Sequence, residues 1–235
     1  AFAAAANEMV RGLDQVNWHP DVVHTHEWQA ALVPVLMRRN GQELDETATV
    51  HTMHRLDEAY QGQFPGEWFQ ELLVLGIGPE EWDPPDHDGF EFYGALNLTK
   101  RAIVEADVVT TVSGYYASET QSTPQGGRLD GLLRKYAGKC LGIEHALGPQ
   151  WNPSTDPALT TPFVPFSDES PETVSRGKQA NKLALQQFFR QPASDGEASR
   201  REAAEVIYGL LDQDPAAPLV GFAGRLVPGK VEMFL

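Results

Sequence analysis

Short apolar runs rich in β-branched residues alternate along the chain with longer stretches whose apolar positions recur at helical spacing. The runs are Asp21 to His24, Thr47 to Thr52, Asp107 to Val112 and Lys139 to Glu144, and helical patterns such as Trp28 to Arg39 and Phe90 to Ala106 lie between them. This rhythm predicts βαβ units and a parallel sheet with helices on both faces. Val22-Val23 and Val108-Val109-Thr110-Thr111-Val112 lack strict polar alternation, which predicts strands buried on two sides. The expected fold class is α/β, a Rossmann-like doubly wound parallel sheet. Ligands of such sheets sit beyond the carboxyl ends of the strands, where His24 to Trp28, His51 and Ser113-Gly114 fall.

Two proline-containing stretches interrupt the rhythm. Gln61 to Gly89 carries Pro65, Pro79, Pro84 and Pro85 with Trp68 and Trp82, and predicts an irregular flap with a short helix near Trp68 to Leu75. Pro149 to Pro171 predicts a crossing between domains. Helical patterns follow over Val174 to Phe189 and Ala198 to Leu211, then a strand, Pro218 to Gly224, that opens a second α/β domain. The expected division is 1–148 as an incomplete N-terminal domain, 149–217 as the crossing with its helices, and 218–235 as the start of a C-terminal domain. Both ends read as cuts: there is no initiator Met, Ala1 to Ala6 reads as mid-helix, and Val231 to Leu235 stops without a cap residue.

Composition narrows the partners. With 235 residues the chain holds at most one complete domain and part of another. Its net charge of −15, from 33 acidic against 18 basic residues, repels phosphate backbones and anionic lipid, which argues against nucleic acid and membrane surfaces as partners. No apolar run approaches the length of about 18 residues that a membrane span needs, and the Ala-rich start has no basic flank of the kind a signal peptide carries. Cys140, the single cysteine, rules out an internal disulfide and any multi-thiolate metal site, which suits a reducing compartment.

The candidate chemistry begins at His24-Thr25-His26-Glu27-Trp28, where a strand ends and a helix starts, so that free helix N–H groups favour an anion nearby. Three readings are open: Glu27 caps the helix while His24 and His26 pack against the sheet; the histidines bind zinc with His51 and His54; or the segment borders a substrate. His51 either caps its strand or serves a site. Arg225 and Lys230, placed after the apolar run Leu219 to Ala223, are either solvated surface or a pair of fixed cations for an anionic leaving group. Walker A, G-x-G-x-x-G and serine-hydrolase elbow patterns are missing from the chain.

Five segments occur in one order: Pro20-Asp21-Val22-Val23-His24-Thr25-His26-Glu27-Trp28, Ala59-Tyr60-Gln61-Gly62, Glu91-Phe92-Tyr93-Gly94, Trp151-Asn152-Pro153 with Asp156-Pro157, and Gly177-Lys178 with Asn181-Lys182. Together with Gly224-Arg225-Leu226 and Lys230 they make the chain resemble the central stretch of bacterial glycogen synthases and plant starch synthases. The resemblance implies a partial GT-B glycosyltransferase that transfers glucose from ADP-glucose, or secondarily UDP-glucose, to an α-1,4-glucan with retention. It implies no cofactor or metal, and a cytoplasmic location, or a plastid one in a plant or alga. By the same resemblance His51, Glu27, Arg225 and Lys230 carry catalysis, and Trp28, His26, Tyr60, Gln61 and His145 bind substrate.

The chain departs from the family pattern in four places. Glu27 stands for Asp in H-x-H-D-W, and eight residues separate His51 from Tyr60 where the family has a short spacer. Gly224 stands for a serine, and His145-Ala146 replaces an Asn-Gly pair. The family's K-x-G-G loop is missing from these 235 residues and the E-x7-E pair of its second domain is expected beyond Leu235, so the isolated chain is expected to be inactive. The alternatives are a non-catalytic glucan-binding module or decayed paralogue, and a zinc hydrolase.

Overall fold

A computed structural model of the chain describes residues 1–12, 18–39, 46–123, 125–157, 159, 161, 163–165, 170–190 and 214–221. Two compact units divide it, Ala1–Ala146 and Leu147–Leu235.

In the first unit four parallel strands form one sheet in the order β1-β2-β6-β7: β1 (Val22–His26), β2 (Ala48–Met53), β6 (Val108–Thr111) and β7 (Cys140–Gly142). All four lie within one or two residues of the predicted runs, because β-branched residues fit a pleated, largely buried surface. The alternation of β1 departs from expectation. Val22 is 53% exposed whereas Thr25 is buried, since β1 is an edge strand among those described and one of its faces is open. Leu141 of β7, on the same face, is 55% exposed.

Helix α1 (Phe2–Gly12), α2 (Leu32–Arg39) and α3 (Leu98–Glu105) supply much of a core in which Ala31, Val33, Val35, Phe90 and Ala102 are buried. The predicted helix from Trp28 to Arg39 is a short 3₁₀ turn, Trp28–Ala30, followed by α2. A second cluster gathers Met53, Ile103, Val109, Leu129 and Leu133 between the sheet, α3 and α5 (Asp130–Lys135). Two caps end neighbouring turns: the Asn97 side chain accepts from Lys100 N–H at the start of α3, and the Ser113 hydroxyl accepts from Tyr116 N–H at the start of α4 (Gly114–Glu119).

The helix expected from Phe90 to Ala106 forms only over α3. Its first part is a hairpin of β4 (Glu91–Phe92) and β5 (Ala95–Asn97), whose turn residues Tyr93 and Gly94 both have left-handed φ, 53° and 84°. Two consecutive left-handed residues match the twist of antiparallel strands and break helical continuation. With β3 (Gln63–Pro65), from the segment read as a flap, the hairpin makes a three-stranded antiparallel sheet, β3-β5-β4. The short helix of that flap is a 3₁₀ segment, Gly66–Leu75.

In the second unit α6 (Pro171–Arg190) covers the helix predicted over Val174 to Phe189. Lys182 Nζ donates to the carbonyls of Pro215 and Ala217, and Asn181 bonds back to Gly177, so this basic signature ties down a turn. Residues 218–221 form neither helix nor strand, and the helix predicted over Ala198 to Leu211 lies outside the described residues, as do Arg225 and Lys230. No helix among the described residues is long and apolar enough to cross a membrane.

Candidate functional site

Parallel pairing sets β1 and β2 in register, His24 opposite Val50 and His26 opposite Thr52. Side chains alternate faces along a strand, so His24, His26, Thr52 and the next residue of that parity, His54, share one face, and Thr25 and His51 share the other. The hydrogen bonds follow that division. His24 Nε2 lies 2.6 Å from Thr52 Oγ1, which lies 2.6 Å from Thr110 Oγ1, a chain across three strands. His26 Nδ1 meets His54 Nε2 at 3.1 Å.

His54 is the first residue past the end of β2, at the carboxyl edge of the sheet. Ring contacts extend the group in both directions: His24 to His26 with centroids 4.3 Å apart, His26 to His54 at 5.4 Å, and His54 to His145 at 5.8 Å. Burial and the neighbouring rings of His24 and His54 lower the pKa of His26, against a smaller opposing pull from Glu27. In that contact one ring donates and the other accepts.

Glu27 joins the two strand ends. Its backbone N–H donates to Thr52 O at 3.0 Å, and its carboxylate Oε1 accepts from the backbone N–H of His54 at 2.6 Å. It stands at the N-cap position of the 3₁₀ turn yet makes no side-chain cap bond, so the capping expectation is replaced by a brace between loops. Its φ of 60° and ψ of 171° fall in a region that side-chain-bearing residues rarely adopt, at a cost of about 1–3 kcal/mol. The strained backbone is what turns the carboxylate towards His54.

His51 is placed otherwise than expected. It has no exposed surface and lies on the face opposite to His24, His26 and His54. Thr25 Oγ1 donates to Val50 O and stands 2.9 Å from His51 Nδ1, which fixes the neutral tautomer with the proton on Nδ1, while Nε2 is buried without a partner. Burial, reinforced by His26 and His24, pushes its pKa down to about 3. The histidine at the end of β2 that shares a face with His24 and His26 is His54. The sequence carried the signal, since T-x-H occurs twice, as Thr49-Val50-His51 and Thr52-Met53-His54, and an odd spacing sends the two rings to opposite faces.

Gln61 is also enclosed. It has no exposed surface; its amide nitrogen donates to Leu56 O at 2.6 Å and Gly127 O at 2.7 Å, and its oxygen accepts from Asn97 and Gln63, each at 2.8 Å. All its hydrogen-bonding capacity is used internally, so it shapes the loops around the site instead of offering atoms to a ligand. Gly62 follows at φ 63°, with the space of a Cβ already filled by Trp28 at 2.7 Å. Trp28 packs edge-on to Phe64 with centroids 5.4 Å apart, and Arg55 lies 4.5 Å over the ring of Tyr60. Beside the cluster, Glu144 accepts from Gly114 N–H at 2.8 Å at the head of α4. Among the described residues no group of three His, Cys, Asp or Glu is arranged to hold a metal ion.

A family model described as "Starch synthase catalytic domain" matches residues 1–135. The chain is 37% identical over 231 residues to a glycogen synthase of Alkalilimnicola ehrlichii, covering 98% of this chain and 40% of that protein. Against a glycogen synthase of Albidiferax ferrireducens it is 40% identical over 191 residues, 80% of this chain and 35% of that one. Among solved structures, the catalytic domain of Starch Synthase IV from Arabidopsis thaliana, bound to ADP and acarbose, superposes with a TM-score of 0.58 at 30% identity, over 83% of this chain and 37% of that one. The chain thus spans about two-fifths of the length of the curated relatives it matches.

Proposed function

From the premise that this chain belongs to the starch synthase catalytic domain family, and so to the glycosyltransferases, we propose that it supplies one wall of a site that moves glucose from ADP-glucose to the non-reducing end of an α-1,4-glucan with retention. UDP-glucose is the second candidate donor. The observation that carries the proposal is the His26–His54 pair, braced by Glu27 at the carboxyl edge of the sheet. Retaining transfer passes through an oxocarbenium-like state, and fixed dipoles beside the sugar hydroxyls stabilise the charge as it spreads. His54 and His26 are exposed enough to donate to such hydroxyls, and Glu27 fixes the loop that orients them.

In this reading Arg225 and Lys230 neutralise the departing diphosphate, so neither metal nor cofactor takes part. The acarbose-bound neighbour supports a glucan acceptor, and its ADP supports the donor. The 235 residues alone, without a K-x-G-G segment, are proposed to be inactive.

The test grafts this chain in place of the matching segment of the Alkalilimnicola ehrlichii glycogen synthase and measures incorporation of glucose from ADP-glucose into glycogen. His54→Ala is expected to lower kcat about 100-fold. An equal rate in that variant would remove His54 from the site. A second reading, glucan binding without turnover, is favoured by the His145 ring tilted against His54, in the place where the family carries an asparagine. An inactive graft that is still retained on a glucan column would support it.

A further inference from the structure

Imidazole rings from three separate segments meet at the carboxyl edge of the parallel sheet: His24 and His26 of β1, His54 just past β2, and His145 in the loop after β7. The chain carries 33 acidic residues against 18 basic ones, yet no carboxylate among the described residues pairs with any of these rings. His87, by contrast, has Asp83 Oδ1 2.9 Å from its Nδ1. The acids next to the row in sequence are engaged elsewhere: Glu27 with the backbone N–H of His54, Glu144 with that of Gly114, and Asp57 with Arg55 at 2.5 Å.

The contacts along the row differ in how they take a further proton. Thr52 Oγ1, 2.6 Å from His24 Nε2, is a hydroxyl that either donates or accepts, and its own bond to Thr110 Oγ1 is equally reversible. His24 therefore keeps its partner whether neutral or charged. His26 Nδ1 and His54 Nε2, 3.1 Å apart, lack that freedom. With both rings neutral, or with one charged, one nitrogen donates and the other accepts; with both charged, two N–H groups and two positive charges face each other. The contact survives one added proton and fails at the second.

The groups packed around the pair do not offset a second charge. On β1 they are His24 and Glu27, and burial with the rings of His24 and His54 outweighs the pull of Glu27 on His26. From β2 comes His51, held neutral by burial on the opposite face. The loop after β2 brings Arg55, a cation already paired with Asp57, and the loop after β7 brings His145 beside the bonded Glu144. Tyr116 of α4 has its hydroxyl on the Leu56 N–H at 3.0 Å.

Strain at Glu27 gives the response its direction. Its backbone at φ 60° is held by the carboxylate bond to His54 N–H and by its own N–H to Thr52 O. Repulsion that pushes His54 away breaks the first of these and lets Glu27 relax to an ordinary conformation, so contact and brace open together. The movement ends at Leu56, which is fully buried and bonded to Tyr116 and Gln61.

We propose that the His26–His54 contact is an acid-opened latch on this site: it stays closed while the two rings carry at most one charge between them, and it releases His54 and the Glu27 brace when both are charged. Its effect on catalysis rests on the glucose-transfer reading above; the latch itself does not.

The 235-residue chain is titrated from about pH 7.5 to about pH 4.5 and followed by NMR, with imidazole nitrogen shifts reporting the charge of each ring. The backbone amide proton of residue 54 reports the bond to Glu27. That proton is expected to hold its shift while the first of the two rings charges and to move upfield with the second. His54→Gln and His26→Gln each replace one ring by an amide that can donate or accept without charging, so in both variants the shift is expected to stay level until Glu27 itself titrates. A shift that moves with the first ring, that follows only the Glu27 carboxyl, or that moves alike in the variants overturns the latch.

In the grafted synthase, transfer relative to its own value at about pH 7.5 is expected to fall about tenfold per pH unit along the second titration, and in His26→Gln to persist to lower pH. The same acid limb in both grafts overturns the latch as a control on the site. The expected NMR response with a graft that transfers no glucose would sink only the transferase reading.

Discussion

Protonating His51 would place a charge in the interior with one ring nitrogen facing no acceptor, which is why burial drives its pKa down to about 3 from 6.5. In the unfolded chain the same ring titrates near its ordinary value. Between those two pH values the unfolded state binds the extra proton, so stability is highest above about pH 6.5 and is lost as pH falls, at about 1.4 kcal/mol per pH unit from this group. Burial also raises the carboxyls of Asp88 and Asp107, but hydrogen bonds from Lys135 and Tyr136 to one, and from Thr49 to the other, outweigh it and hold both below the usual range. Their loss adds only at lower pH. Urea denaturation of the native chain at pH 7 and pH 5 is therefore expected to show a drop that His51→Leu largely abolishes, and equal drops in the two proteins would rule out a buried neutral His51. The opposed faces of His51 and His54 were legible from their odd spacing. The left-handed Glu27 was not, because nothing local requires it; the bond to His54 from a distant loop holds it there.

At the scale of elements, the loop after β2, the strand β3 and the start of α3 are held by one buried amide. Gln61 bonds Leu56, Gly127, Gln63 and Asn97, and Asn97 in turn caps α3. Gln61→Leu keeps much of the volume and takes a partner from two carbonyls and two side-chain amides, so it is expected to destabilise the chain by about 3 kcal/mol or more, as read from chemical denaturation. A change under about 1 kcal/mol would mean that water replaces the lost bonds. Tyr60-Gln61-Gly62 looked like a substrate motif from sequence, yet two of its positions answer to packing: Gln61 as the tether, and Gly62 through the closeness of Trp28. Strand positions were readable because β-branched runs have few competing solutions. The β4-β5 hairpin was misread as helix, since a two-residue strand is too short to display a period of two.

For the molecule as a whole, every buried residue of the two apolar clusters lies before residue 147, inside the first unit. Residues 1–146 are accordingly expected to unfold cooperatively on their own, with a single transition by circular dichroism and by tryptophan fluorescence at the same denaturant concentration. Separated transitions would show that the second unit completes the core. What the sequence determined alone was the class of the fold, the four parallel strands in their places, and the family, because these rest on local apolar periodicity and on short motifs whose order survives without coordinates. Which histidine joins the face of His24 and His26 was half determined, by parity. Only the tertiary structure decided that His26 and His54 pair, that Glu27 braces them and that His145 joins their row. Those contacts join residues far apart in the chain, and the strained backbone they hold at Glu27 carries no mark in local propensity.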